Sequence, residues 1–317
     1  MSEAETAPVT CRSYRRQRAE GEDYSADELR NPGGGYNDGM RNVKKIAVLG
    51  AGNMGSAMIG GILKAGVAVA EDVVATTRSA EHAADVSSRY GVVATAGGNR
   101  EAAAGADLII LAVKPSVLGK VVAEIQGVLH DGQMLLSLAA AVPLSLIEKA
   151  AGIGMPIFRA MPNIPVVVEE GATAVAANEV ATAEDKAVVE RIFRAVGVVC
   201  FVDEDAMDAV TALSGSGPAY IYMVIEAMIA GGLKMGLPHG VATKLAEQTV
   251  LGAAKLVKET GLHPAILRDQ VITPGGVTIS AIHELERHGL RAMLISAIET
   301  ATHHSRSRGR AMTEPKG

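Results

Sequence analysis

The chain has 317 residues, 48% hydrophobic and 21% charged, with a formal net charge of −5 at pH 7. That length holds two ordinary domains, and the composition suits a compact soluble protein rather than a nucleic-acid binder. No apolar run reaches the roughly 18 residues of a membrane span. The two cysteines, Cys11 and Cys200, and eight histidines without ligand spacing make neither a disulfide framework nor a metal site.

Residues 1–42 differ from the rest. They carry Arg12, Arg15, Arg16 and Arg18, then Glu20, Glu22 and Asp23, then Asn31-Pro32-Gly33-Gly34-Gly35, without apolar periodicity. This reads as a disordered tail. It lacks the apolar core of a secretory signal, and its acids argue against a transit peptide, so a cytoplasmic location is expected. Met40 stands just before the first strand, and one hypothesis is that translation starts there. N-terminal sequencing that begins near Met1 would reject it.

The organising stretch is Lys44-Lys45-Ile46-Ala47-Val48-Leu49-Gly50-Ala51-Gly52-Asn53-Met54-Gly55. A short apolar run meets G-x-G-x-x-G, and a helical pattern over about 56–65 follows. This is the strand–turn–helix opening of a dinucleotide-binding unit. Gly50 permits the tight turn, Gly52 lets backbone approach a pyrophosphate, and Gly55 lets the helix lie close on the strand. Helix-start N–H groups then face the phosphates.

Val73 to Thr76 reads as the second strand. About 20 residues past the glycines, an NAD-specific unit places a carboxylate. Here the sequence is Thr76-Thr77-Arg78-Ser79. Thr77 and Arg78 suit a 2′-phosphate, which predicts NADPH over NADH. A helix over 81–89, a short strand at 91–93 and a helix capped by Asn99 come next. Residues 107–113 form a buried parallel strand ending in Lys114-Pro115. Lys114 either touches cofactor or substrate, or ends the strand in water. A helix over 117–129, a strand over 134–138, the turn Ala139-Ala140-Ala141 and a helix after Pro143 continue the alternation. Strands are expected at 157–159, 173–176 and 198–202, with a helix over 183–196.

Beyond Asp203 the pattern is helical. Leu213-Ser214-Gly215-Ser216-Gly217-Pro218 leads into a long apolar helix containing Gly231 and Gly232. Each such glycine costs about 1 kcal/mol against alanine, which close helix packing would offset. Helices over 239–259 and 264–270 precede Thr273-Pro274-Gly275-Gly276-Val277-Thr278. That loop reads as a second anion site, suited to a small carboxylate, or as a simple glycine turn. Helices over 279–288 and 291–304 close the chain. Glu204 and Asp205 either face a cationic nitrogen or cap the next helix. No nucleophile–base constellation appears, which suits hydride transfer by a cofactor.

From about Val43 to Arg306 the chain resembles the pyrroline-5-carboxylate reductase family. The blocks that carry the likeness are Asp269 to Glu286, Leu213 to Tyr220, Arg159-Ala160-Met161-Pro162-Asn163-Ile164-Pro165 and Val113-Lys114-Pro115. The resemblance implies an α/β fold: an N-terminal Rossmann domain over 43–203, a helical dimerisation and substrate domain over 204–306, and a tail over 307–317. It implies NADPH-dependent reduction of the ring C=N of 1-pyrroline-5-carboxylate to L-proline, with NADH the weaker cofactor. It further implies a homodimer built into a larger homo-oligomer, a decamer for example.

By position, Gly50 would shape the pyrophosphate turn. Gly52, Asn53, Met54 and Gly55 would meet the pyrophosphate, Thr77 and Arg78 the 2′-phosphate, and Asn99 the adenosine ribose region. Val113, Lys114, Pro115, Leu138, Ala139 and Ala140 would meet the nicotinamide side, with Gln270 reaching in from the helical domain. Gly276, Val277 and Thr278 would hold the substrate carboxylate, and Glu204 matches a family position near the substrate. Thr278 is the expected catalytic residue, donating a hydrogen bond to the imine nitrogen.

Two rivals stand beside this reading. The enzyme rival is a β-hydroxyacid dehydrogenase or a general imine reductase; the former would need a lysine four residues past Gly217, where this chain has Ile221. A non-catalytic NADP sensor would need no second anion site.

Overall fold

The computed structural model describes residues 41–152 and 154–313. The expected tail over 1–42 lies outside these residues except for its last two. By contacts, the described residues form a sheet unit, 41–220 with 294–313, and a helical unit, 221–293.

The sheet unit carries eight strands: β1 (Ile46–Leu49), β2 (Val73–Thr77), β3 (Val93–Ala96), β4 (Leu108–Leu111), β5 (Met134–Ser137), β6 (Ile157–Met161), β7 (Gly171–Ala177) and β8 (Gly197–Phe201). Their order is β3-β2-β1-β4-β5-β6-β7-β8. The first six are parallel, β7 runs antiparallel to β6, and β8 runs parallel to β7. The chain reverses spatial direction between β3 and β4, so a switch point opens at the carboxyl ends of β1 and β4.

Alternation along the strands divides the core into two layers. Ile46, Val48, Leu108, Ile110, Leu136 and Phe158 face one side, where Met58, Ile59 and Ile62 of α1 (Asn53–Lys64) pack. Ala47, Leu49, Ile109, Leu111 and Leu135 face the other. Both layers are apolar because helices cover both faces.

Helices α2 (Ala80–Tyr90), α3 (Asn99–Ala104), α4 (Pro115–Ile125), α5 (Leu144–Ala151) and α6 (Ala183–Arg194) connect the strands. Thr182 and Asp185 form a reciprocal capping box on α6. The structure corrects two expectations here. The third strand is 93–96, not 91–93, because Gly91 is left-handed (φ 70°) and ends α2. The cap of α3 is Gly98, also left-handed (φ 81°), and Asn99 is its first helical residue.

After β8 come the short α7 (Met207–Val210) and a π-helical turn, Thr211–Gly215. Met207 and Ala212 are buried, so 204–220 packs with the sheet unit. The helical unit holds most of α8 (Gly217–Lys234), then α9 (His239–Thr260), α10 (Pro264–Gln270), α11 (Val277–Arg287) and the start of α12 (Leu290–Thr313). The last helix continues to Thr313, past the end expected near His304. A Cβ on Gly232 would lie 3.1 Å from the Ala242 Cβ, so this glycine sits at the α8–α9 contact, whereas Gly231 faces open space.

Candidate functional site

The first cluster is built at the carboxyl ends of β1, β4 and β5. Gly50 takes φ 91°, and a Cβ there would press on Val113 at 2.6 Å. A Cβ on Gly55 would lie 2.8 Å from the Gly50 carbonyl oxygen and 3.1 Å from the Ala112 Cβ. Both glycines are therefore dictated by packing. Gly52 differs: a Cβ there would meet nothing within 4 Å, and the residue is exposed. No side chain caps the start of α1 just beyond it, where Asn53 is exposed and Met54 half-buried. An open backbone beside an uncapped helix start fits a pyrophosphate.

The turn is anchored from β2. Gly50 and Ala51 donate N–H bonds of 3.0 and 2.7 Å to the Thr76 carbonyl. The Thr76 hydroxyl accepts from Gly50 N–H (3.2 Å) and donates to Asn99 Oδ1 (2.7 Å). Asn99 in turn donates to Glu124 at 2.9 Å. Thr76 was missed in the sequence, because its hydroxyl matters only once β2 lies beside the turn.

At the end of β2, Thr77 is buried, and its hydroxyl donates to the Ser79 carbonyl at 2.8 Å. Arg78 is exposed, with no ion-pair partner among the described residues. Ser79 caps α2 by accepting from His82 N–H. The His82 ring Nε2 lies 2.7 Å from the Ala51 carbonyl oxygen, inside the glycine turn. Ser79 and His82 were also missed. Ser79 could have been found as a helix cap, but the His82 contact spans 31 residues and needs the fold.

Lys114 is exposed at the cap of α4, with Pro115 in the first turn and Val113 half-buried. Leu138 and Ala140 are half-buried and Ala139 is buried beyond β5, where Leu138 N–H bonds the Leu111 carbonyl at 3.0 Å. The fold thus brings Gly50–Gly55, Val113–Pro115 and Leu138–Ala140 to one end of one sheet.

Glu204 has a local task. Its Oε1 accepts from the Leu144 N–H at the start of α5 (2.7 Å) and pairs with Arg159 (3.1 Å), which is 5% exposed. It lines a charged recess of about 450 Å³ with Arg159, Asp205, Asp208 and Arg306. Glu204 does not cap the helix that follows it, which has no side-chain cap; it bonds the start of the earlier α5, and the cationic nitrogen it faces is that of Arg159.

The second cluster lies in the helical unit. Gly275 is left-handed (φ 67°), and Gly276 is the cap residue of α11, with no side-chain cap. Its N–H bonds the Thr273 carbonyl at 2.9 Å, and a Cβ there would collide with the Thr273 hydroxyl. Val277 is 88% exposed. Thr278 is half-buried, in the first turn of α11. Gln270 is exposed at the end of α10.

A doubly covered parallel sheet with an open glycine turn at its switch point, followed by a helical unit with its own open helix start, defines a Rossmann-type oxidoreductase. Two family models match. One, for NADP oxidoreductase, coenzyme F420-dependent, matches residues 45–141, and the other, for pyrroline-5-carboxylate reductase dimerisation, matches 204–308. The pyrroline-5-carboxylate reductase of Methanosarcina acetivorans is 42% identical over 267 residues, covering 84% of this chain and 98% of the relative. That of Escherichia coli K12 is 41% identical over 80% of this chain and 94% of its own. The solved enzyme of Coxiella burnetii superposes with a TM-score of 0.79 at 38% identity, covering 84% of this chain and 99% of that one. The Plasmodium falciparum enzyme, solved with NADP bound, gives 0.76 at 31% identity, covering 86% of this chain and 100% of that one. The chain belongs to the pyrroline-5-carboxylate reductase family.

Proposed function

We propose that the protein reduces 1-pyrroline-5-carboxylate to L-proline with NADPH. The observation that carries this reading is the pairing of two uncapped helix starts in one family-matched chain, at Gly52–Gly55 and at Gly276–Thr278. The first suits a pyrophosphate, the second a small carboxylate.

When bound, the nicotinamide supplies the hydride; the remaining tasks fall to the chain. The N–H groups of Val277 and Thr278 hold the substrate carboxylate; that of Gly276, expected to join them, is already donated to the Thr273 carbonyl and shapes the loop instead. The Thr278 hydroxyl donates a hydrogen bond to the imine nitrogen, or the imine arrives already protonated by water. Orientation contributes most of the acceleration. A positioned proton donor adds roughly 10²–10⁴-fold. Gly52–Gly55 carry the pyrophosphate, Val113–Pro115, Leu138–Ala140 and Gln270 serve the nicotinamide, and Asn99 keeps the ribose side in place through Thr76.

The same reading makes the chain a homodimer through its helical unit, built into a larger ring. It also places the enzyme in the cytoplasm, where the exposed, unpaired Cys200 stays reduced. No helix among the described residues is long and apolar enough to cross a membrane.

The test is oxidation of NADPH, followed by its absorbance, with racemic pyrroline-5-carboxylate. Rapid turnover is expected, slower with NADH. Thr278→Ser should keep most activity and Thr278→Ala should lose it. Wild-type turnover in Thr278→Ala would remove the residue from the mechanism. Binding of NADPH without turnover would favour another cyclic imine.

A further inference from the structure

We propose that His82 sets the preference for NADPH over NADH, forming the 2′-phosphate site together with Arg78 and Ser79, and that it makes this preference pH-dependent. The proposal rests on the cofactor reading above and deepens it. Three observations carry it.

First, the Thr77 hydroxyl hydrogen is already donated to the Ser79 carbonyl, and the residue is buried. A fully ionised phosphate accepts hydrogen bonds and offers none. The donors left at this strand end are the Arg78 guanidinium, the Ser79 hydroxyl and the His82 ring. The Ser79 oxygen accepts from His82 N–H, so its own hydrogen remains available.

Second, the His82 ring reaches from the first turn of α2 to the Ala51 carbonyl, 2.7 Å away. It bridges the end of β2 and the glycine turn. In a Rossmann unit that strip is the passage of the adenosine ribose, whose 2′ position faces the end of the second strand.

Third, the contact sets the tautomer. A carbonyl oxygen only accepts, so Nε2 carries the hydrogen. Nδ1 has no hydrogen-bond partner among the described residues and is where a proton adds. Protonation creates a second donor and a positive charge, four residues along the chain from Arg78. On its own segment the other charged groups near it are Arg78, Glu81 and Asp85, all exposed, and the facing stretch 50–56 carries no titratable side chain. A 2′-phosphate would therefore find a cationic site at low pH and a weaker one at high pH.

The test uses the full-length protein and equilibrium binding, read by nucleotide fluorescence, for NADPH and NADH at about pH 6 and about pH 8. Adenosine 2′,5′-bisphosphate and AMP, titrated by calorimetry, isolate the 2′-phosphate. The variant is His82→Gln, whose amide still donates to Ala51 but cannot become a cation. At pH 6 it should bind NADPH and the bisphosphate about tenfold more weakly, with NADH and AMP within twofold of wild type. At pH 8 the difference should shrink to about twofold. The free phosphate titrates near this range too, and identically for both proteins, so comparing variant with wild type at each pH cancels the free-ligand contribution.

Equal losses for NADPH and NADH would overturn the proposal, because they would mean His82 only holds the turn. Wild-type NADPH affinity in His82→Gln at pH 6 would also overturn it. Should wild type bind neither nucleotide, the cofactor reading itself would fall. His82→Ala, which also loses the bond to Ala51, is the second variant. Its NADPH loss at pH 6 should equal or exceed that of His82→Gln.

Discussion

The two units of the chain place apolar side chains by opposite rules. In the sheet unit, every residue of β1, β4 and β5 is buried, and the sheet is closed on both faces by its own helices. In the helical unit, the 18-residue α8 has no buried residue at all, and α9 buries only Ala242 and Ala246. Met223, Met235, Leu245, Leu251 and Met293 are each more than half exposed. Apolar surface of this extent is stable only when something covers it. The sheet unit is thus written as a core for itself, and the helical unit as half of a core whose other half is a second copy.

The largest effect should come from breaking the self-contained core. Phe158 is fully buried on β6. Phe158→Ala should cost about 3–5 kcal/mol by transfer and cavity terms. Denaturant unfolding should show this loss at every protein concentration. Breaking the other half should look different. Tyr222 is 57% exposed and lines an apolar groove with Ile225, Ile229 and Leu233. Tyr222→Asp should weaken assembly by about 30-fold or more, since a central aromatic anchor contributes about 2 kcal/mol. Sedimentation should show smaller species, and unfolding should become concentration-dependent. An unchanged mass across a dilution series would mean that another surface mediates assembly.

A gentler test separates folding from function within the sheet unit. Gly55→Ala must push on the Gly50 carbonyl and Ala112, so it should lower both stability and cofactor affinity. Gly52→Ala meets nothing, and its φ of −75° suits any residue. It should leave the melting temperature nearly unchanged while weakening NADPH binding about tenfold, because its methyl stands where the phosphates approach. Equal stability losses in both variants would show that Gly52 serves the turn rather than a ligand.

How much of this was readable from residues alone depends on distance along the chain. The strand–turn–helix at 46–64 is local, and its glycines occur where packing and open backbone require them. The alternation of strands and helices was legible for the same reason. The reversal of β7 was not, because an apolar run carries no direction. The cap at Gly98 rather than Asn99 was hidden because a left-handed glycine does the work with backbone alone. Arg306, Arg308 and Arg310 look like a solvated tail, yet the helix continues through them, held where Ser305 donates to Asp208 at 2.6 Å and Met312 packs on the core. Thr77 and His82 are the instructive pair. Spacing pointed to Thr77, but the fold turns its hydroxyl inward and brings His82 to the glycine turn instead.

The smallest effect concerns a charge that the sheet unit uses for itself. Asp185 is 2% exposed, pairs with Arg41 at 2.7 Å, and accepts from the Thr182 N–H and hydroxyl at 3.0 Å each. Burial alone would raise its pKa, but the bonds from Arg41 and Thr182 outweigh burial and hold the carboxyl below its ordinary value. A lowered folded pKa means that the unfolded chain takes up the proton first as pH falls. The stabilisation is therefore complete above the unfolded value of about 4 and is lost as pH drops through the folded value. Asp185→Asn should cost about 1–2 kcal/mol at neutral pH, through the cap and the ion pair. Its deficit against wild type should shrink steadily below about pH 4. A deficit that stayed constant down to the acid transition would assign the loss to packing of the side chain, and the charge would have no part in it.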